Sequence, residues 1–292
     1  MQLFDRNKLI TKPSASLILL ISFFILMLVG VSMLMQLLTT KMDNTAAALR
    51  IGAVLQNVFV FITPAIAVAM LSTRYPASLL AVDKLPSLKF ILLAIVALIV
   101  SIPAMNVVID WNMNITLPDS LASLNQYINE FEKSAESALN IMTEGSSIGA
   151  LIINIIIVGV FAGLGEEIFF RGGMMRLIGC IKGVSPHAAI WIAAFVFSLF
   201  HFQFLGFVPR MLLGAFFGYL TYWSGSLWLP ILIHSLNNSI ITACEWSNAN
   251  CGTNIDINTL GINSPVIAIT SLAITALVIY VFVKLSVKES KK

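Results

Sequence analysis

Charge is what this sequence has least of. Asp, Glu, Lys and Arg supply 11% of its 292 residues, against 58% apolar side chains. Soluble domains carry about 25% charged residues, so this chain cannot wet a globular surface. Its formal net charge of +3 is too small to imply a polyanionic partner, and nucleic acid is excluded. Cysteine is scarce too. Cys180, Cys244 and Cys251 match no metal-finger spacing, which argues against a structural zinc or a disulfide framework. There is no His-Glu-x-x-His, no Gly-x-Ser-Gly around a serine nucleophile, and no pair of intramembrane aspartates. What remains is an integral membrane protein.

A helix crossing ~30 Å of hydrocarbon needs ~20 mostly apolar residues. Uncharged runs of that length occupy 13–40, 51–73, 90–109, 145–165, 183–209 and 257–283. The run 211–244 is divided by Trp223-Ser224-Gly225-Ser226 and Pro230, a turn signal. The expectation is all-α: a polytopic membrane helix bundle of about eight transmembrane helices. They are placed at roughly 14–38, 51–72, 88–109, 147–181, 186–202, 206–223, 227–244 and 263–285. The first run is twice the length of a signal-peptide core and no small-residue cleavage site follows, so it is expected to be retained.

Loop charges set the orientation. With the N-terminus in the cytoplasm, the inner segments collect Arg6, Lys8, Lys12, Arg74, Lys84, Lys89, Arg176, Lys182, Lys284, Lys288, Lys291 and Lys292. The outer side receives Lys41, Arg50, Lys133 and Arg210, so the count is twelve against four. Both termini are expected in the cytoplasm and the protein in the plasma (inner) membrane. Cys244 and Cys251 then face the outside, where the redox compartment permits a disulfide closing a short loop. Three units are expected. Residues 1–140 form a scaffold of three spans and an acidic outer loop, whose alternating apolar and acidic residues suggest a short surface helix. Residues 145–245 form the chemically loaded core. Residues 246–292 supply an outer loop, the last span and a basic tail.

Ionisable side chains at the bilayer centre cost at least ~2.5–3.5 kcal/mol each on insertion scales, so they are functional suspects. Here they are Glu166, Glu167, Arg171, His201 and His234, with Asn237 and Asn238 beside the last. Glu167 and Arg171 are four apart and share a helix face as an ion pair. Glu166, rotated by about 100°, is left without a cation, as a general base requires. Counted from the turn at 183–185, Glu166 and His201 both lie ~24–26 Å up antiparallel helices, nearly level. That agreement needs the fourth helix to run on through Gly172-Gly173. His234 and Asn238 are i and i+4 and point to one side, where each can donate to one anionic oxygen. His187 has no such partner in the sequence and reads as interfacial. Gly159-x-x-x-Gly163 and Gly214-x-x-x-Gly218 read as close helix packing.

The ordered set Glu-Glu-x-x-x-Arg, Phe-x-x-x-His and His-x-x-x-Asn, each on a hydrophobic helix, resembles the CAAX prenyl endopeptidase and bacteriocin-processing (CPBP, or abortive-infection) family of intramembrane proteases. The resemblance covers residues 145–245. It implies that Glu166 is the catalytic glutamate, Glu167 its paired acid and Arg171 the charge partner. His201 would help Glu166 activate water, and His234 and Asn238 would be the oxyanion donors. The implied partners are the lipid bilayer and a membrane-associated peptide or protein substrate, prenylated or not. The family is often labelled metalloprotease. A Glu and a His can hold a water without a metal, so no required cofactor is the favoured expectation. A zinc on Glu166, His201 and His234 is the alternative, because those ligand types suit it. Against zinc stands the lack of a spare acid to orient either histidine, since Glu167 is taken by Arg171. Two other classes compete with the protease: a non-catalytic scaffold or immunity protein, and a proton-coupled transporter using the same polar residues as a relay.

Overall fold

The structure, a computed structural model, describes residues 4–253 and 257–289. Lys291 and Lys292 of the basic tail lie outside the described residues. Helices account for 81% of the chain, with no strand among the described residues. They are α1 (Pro13–Lys41), α2 (Thr45–Ser72), α3 (Leu88–Met113), α4 (Ala122–Thr143), α5 (Ile148–Gly179), α6 (Pro186–Leu199), α7 (Phe207–Ser224), α8 (Trp228–Cys251) and α9 (Pro265–Glu289). All eight expected spans exist as helices, and α4 is the surface helix of the outer loop.

Local chemistry explains the boundaries. Asn44, Ser147 and Ser185 cap α2, α5 and α6, each accepting from the backbone N–H three residues on. Proline opens α1, α6 and α9, where its missing N–H costs nothing. Gly225 ends α7 in the left-handed region at φ 69°, the conformation glycine adopts without steric cost.

Six helices are long and apolar enough to cross a membrane: α1, α2, α3, α5, the stretch Phe204–Ser224 containing α7, and α9. The other two depart from the expectation for different reasons. α8 has the length, but it carries a polar run from His234 to Asn238 and continues to Cys251. Cys244 and Cys251 therefore sit seven residues apart on one helix, ~10.5 Å along its axis, too far for a disulfide. Both are free, so the anticipated bridge is corrected. α6 has 14 residues, ~21 Å, and stops at Leu199 instead of reaching residue 202. That is short of ~30 Å of hydrocarbon, and the chain turns at His201.

Three stretches widen to π-helix: Gln56–Ile62 in α2, and Ile155–Phe161 and Ile168–Met174 in α5. The last begins directly after Glu167 and carries Arg171, Gly172 and Gly173. The two glycines loosen the helix without breaking it, so α5 runs on as the levelling of Glu166 and His201 required. Such widened turns occur often at functional sites. Gly159 and Gly163 let α8 approach α5 as expected. A Cβ on Gly163 would lie 2.9 Å from the backbone nitrogen of Ser235. Away from the site, Pro103 bends α3 and Ser271 of α9 repairs the break. Its hydroxyl donates to the Val100 carbonyl at 2.6 Å and accepts from the Ala104 N–H at 3.2 Å.

Candidate active site

Under the π-helical turn of α5 lies a packed aromatic layer. Phe169 and Phe170 meet edge-on at 5.0 Å, Phe170 meets Phe197 of α6 at 5.2 Å, and Phe24 of α1 lies 4.9 Å from Phe169. This dry layer is the low-dielectric wall against which the charges stand. Arg171, 1% exposed, gives Nη1 to Glu167 Oε1 at 2.6 Å and Nη2 to the Gly214 carbonyl of α7 at 3.0 Å. Its guanidinium sits 4.4 Å from the centre of the Phe197 ring, so the cation has an acid, a carbonyl and a π-face. A Cβ on Gly214 would stand 3.1 Å from Arg171 Nη2, so glycine leaves room for that reach. The Gly214 position, read only as packing, thus supplies a polar contact.

His234 comes in from α8, 4% exposed and stacked on Phe217 at 4.7 Å. Its Nδ1 lies 2.9 Å from Glu167 Oε1, and its Nε2 faces Glu166 Oε2 at 3.8 Å. One oxygen of Glu167 therefore serves both Arg171 and His234, while its Oε2 is buried without a partner among the described residues. Glu166 is the more open acid, 16% exposed against 0% for Glu167. The structure thus brings Glu166, Glu167, Arg171 and His234 into one cluster. His201 lies in the turn after α6, with Nδ1 2.8 Å from the Phe197 carbonyl. The Phe197 ring neighbours both imidazoles, 4.8 Å from His201 and 6.2 Å from His234. Asn238 stands on the same side of α8 as His234, but its amide donates to the Val158 carbonyl at 3.3 Å. Asn237 donates to Asn238 Oδ1 at 3.2 Å. His187 lies outside the cluster and does have a partner, the Tyr219 hydroxyl at 3.0 Å, across two helices the sequence does not pair.

These positions test the zinc alternative. Each imidazole has Nδ1 held by an acceptor, so the orienting groups thought to be lacking are present. That corrects the expectation that Glu167 serves Arg171 alone. The expected ligands Glu166, His201 and His234 still do not form a metal cage. Among the described residues, no group of three or more His, Cys, Asp and Glu side chains is placed to hold a metal ion. The chemistry below is derived from these side chains themselves.

Sequence reasoning missed what holds His201. The linker after α6 is a tight turn followed by the short 3-10 turn Phe204–Gly206, and its polar backbone groups are paired by neighbouring elements. Asn112 of α3, 1% exposed, donates to the Phe204 carbonyl at 3.2 Å and accepts from the Val208 N–H at 2.8 Å. Ser198 donates to the Phe207 carbonyl at 2.6 Å, and Arg210 donates to Gln203. From α4, Glu132 Oε1 accepts the Leu205 N–H at 2.9 Å, and Phe131 faces Phe202 at 6.1 Å. Phe202, next to His201, is a non-glycine residue at φ 54°, a strained position that its surroundings must hold. The one signal in the sequence was Asn112, which follows Asn106 and Asp110 at the polar end of α3. Glu132→Ala is expected to raise amide exchange at Leu205 by about tenfold or more, the worth of a hydrogen bond to a charged acceptor. Glu132→Gln, which keeps the acceptor oxygen, is expected to restore most of the protection. Exchange measured by mass spectrometry reads both.

Residues 148–240 match the family model of the type II CAAX prenyl endopeptidase Rce1-like proteins. The match covers α5 to the polar run of α8, the segment on which the sequence resemblance rested. It supports a CAAX-type intramembrane protease as the general class of this integral membrane protein. No curated protein and no solved structure compared with the chain matches it.

Proposed function

We propose that this protein hydrolyses a peptide bond of a membrane-associated substrate with a water activated by Glu166 and His201. The observation that carries the reading is the division of labour between adjacent acids. Glu167 Oε1 is spent on Arg171 and His234, whereas Glu166 has no cation within hydrogen-bond reach among the described residues and keeps access to solvent. A base must have both properties.

In this reading Glu166, assisted by His201, takes a proton from water as the water attacks the scissile carbonyl. Glu166 then returns that proton to the leaving amine. His234 and Asn238 hold the oxyanion. His234 donates from Nδ1 to Glu167, so it can donate to an oxyanion from Nε2 only when that nitrogen also carries a proton. Asn238 must release the Val158 carbonyl before it can donate to substrate, and the 3.3 Å length of that bond makes the exchange cheap. Residues 145–245 are the catalytic core. Residues 1–140 support it, reaching the His201 linker through Asn112 and Glu132. The count of Lys and Arg puts both termini in the cytoplasm of the cell and the His201 linker nearer the outer face.

The test is cleavage by purified protein in detergent of matched peptides, one with a prenylated C-terminal cysteine motif and one unmodified, with products read by mass spectrometry. Cleavage of either by wild-type protein, lost in Glu166→Gln, supports the reading, and the preferred peptide sets the substrate class. No product from wild-type protein, together with proton-coupled uptake in liposomes, would replace the protease with the transporter.

A further inference from the structure

Arg176 lies in the last turn of α5, at the opposite end of that helix from its start near α4. It is 6% exposed, and only its Nη2 is spent, donating to the Ser78 carbonyl at 2.8 Å. Nε and Nη1 are buried and have no hydrogen-bond partner, and no carboxylate lies within ion-pair distance of them among the described residues. A buried guanidinium with two idle donors costs free energy unless something reaches them. The Phe4 ring, 5.9 Å from the guanidinium carbon, accounts for one face but not for the N–H groups.

The side chain lines a partly enclosed cleft between the ends of α1, α2 and α5. The cleft has about 10 Å³ of interior space, roughly the room one water-sized atom needs. Lys8, Thr73, Ser78 and Asp5 border it as well. Lys8 is exposed, and its ammonium reaches Ser78 Oγ only at 3.4 Å, so it can turn towards a bound group. Ser78 keeps its own hydroxyl proton free. Thr73 is occupied, donating to the Lys8 carbonyl at 2.7 Å. Asp5 accepts the Asn7 N–H at 3.0 Å and brings a negative charge to the rim, and Asp83 adds a second acid whose field reaches Arg176.

The cleft belongs to the end of the bundle where Lys12, Arg74, Lys84 and Lys182 also gather, the end that the loop charges assign to the cytoplasm. A basic pocket between membrane helices at headgroup level is suited to a phosphate. We propose that this cleft binds a phosphate group, with one oxygen entering between Arg176 Nε and Nη1 and the rest of the group held by Lys8 and Ser78. Arg176 lies ten residues beyond Glu166 on the same helix, ~15 Å along its axis, and the proposal does not depend on the proteolytic reading.

The experiment measures thermal unfolding of purified protein in a phosphate-free detergent with three additions: phosphatidylglycerol, a glycolipid of the same chain length without phosphate, and inorganic phosphate. Phosphatidylglycerol is expected to raise Tm by about 2–4 °C and the glycolipid to leave it unchanged. A rise with phosphatidylglycerol alone assigns the phosphate to a lipid headgroup, and an equal rise with inorganic phosphate assigns it to the free ion. In Lys8→Gln, a surface change, the rise should shrink, and in Arg176→Gln it should vanish. Should Arg176→Gln fail to fold, Lys8→Gln and native mass spectrometry of retained lipid decide the matter. No rise with either phosphate source, or the same rise with the glycolipid or in Lys8→Gln, overturns the proposal and leaves the cleft to water.

Discussion

Glu166→Gln is expected to lower peptide cleavage by about 10²–10⁴-fold, the usual contribution of a general acid–base group, while the protein stays folded. The substitution keeps the shape and one acceptor oxygen and removes only the capacity to take and return a proton. Glu166 makes no hydrogen bond among the described residues that the change would break, and His234 Nε2 faces it at 3.8 Å. Melting temperature should therefore hold within the range of a surface substitution. Cleavage at the wild-type rate would remove Glu166 as the base. A loss of cleavage accompanied by a large fall in Tm would move it from chemistry to structure.

Glu167→Ala is expected to show the reverse pattern, with a stability loss of about 3–5 kcal/mol, the cost of stranding a buried charge. Arg171, 1% exposed, would keep the Gly214 carbonyl and the Phe197 ring but lose the one anion that lies within ion-pair distance among the described residues. His234 would lose the acceptor that fixes its ring. The paired change Glu167→Leu with Arg171→Met should be less damaging to stability than Glu167→Ala alone, because no uncompensated charge is left in the dry layer. Thermal unfolding of the two variants beside wild type settles the order. Stability equal to wild type in Glu167→Ala would show that the pair does not hold α5, α7 and α8 together. The two adjacent glutamates are thus separable by experiment: one change is read mainly in rate, the other mainly in Tm.

The first effect is the more informative about function because the two acids are one residue apart and chemically identical. Their roles diverge only through what each side chain meets. Burial at 0% and a shared oxygen make Glu167 a fixed counter-ion, and 16% exposure opposite an imidazole nitrogen leaves Glu166 able to exchange protons with water.

Helix number, order and most boundaries were legible in the sequence, because each is decided by local chemistry. Apolar runs of membrane length mark the spans, proline and serine mark the starts, and Gly225 marks the turn between α7 and α8. The Glu167–Arg171 pair was legible for the same reason, since four residues on one helix bring two side chains together whatever surrounds them. Tertiary structure decided the rest. That Glu167 also holds His234, that Gly214 receives Arg171, and that Asn112 and Glu132 clamp the linker carrying His201 are contacts between residues 43 to 96 positions apart. No periodicity encodes such pairs. They form because α6 stops at Leu199 and leaves polar backbone groups that no continuous α-helix pairs, so side chains of α3 and α4 meet them.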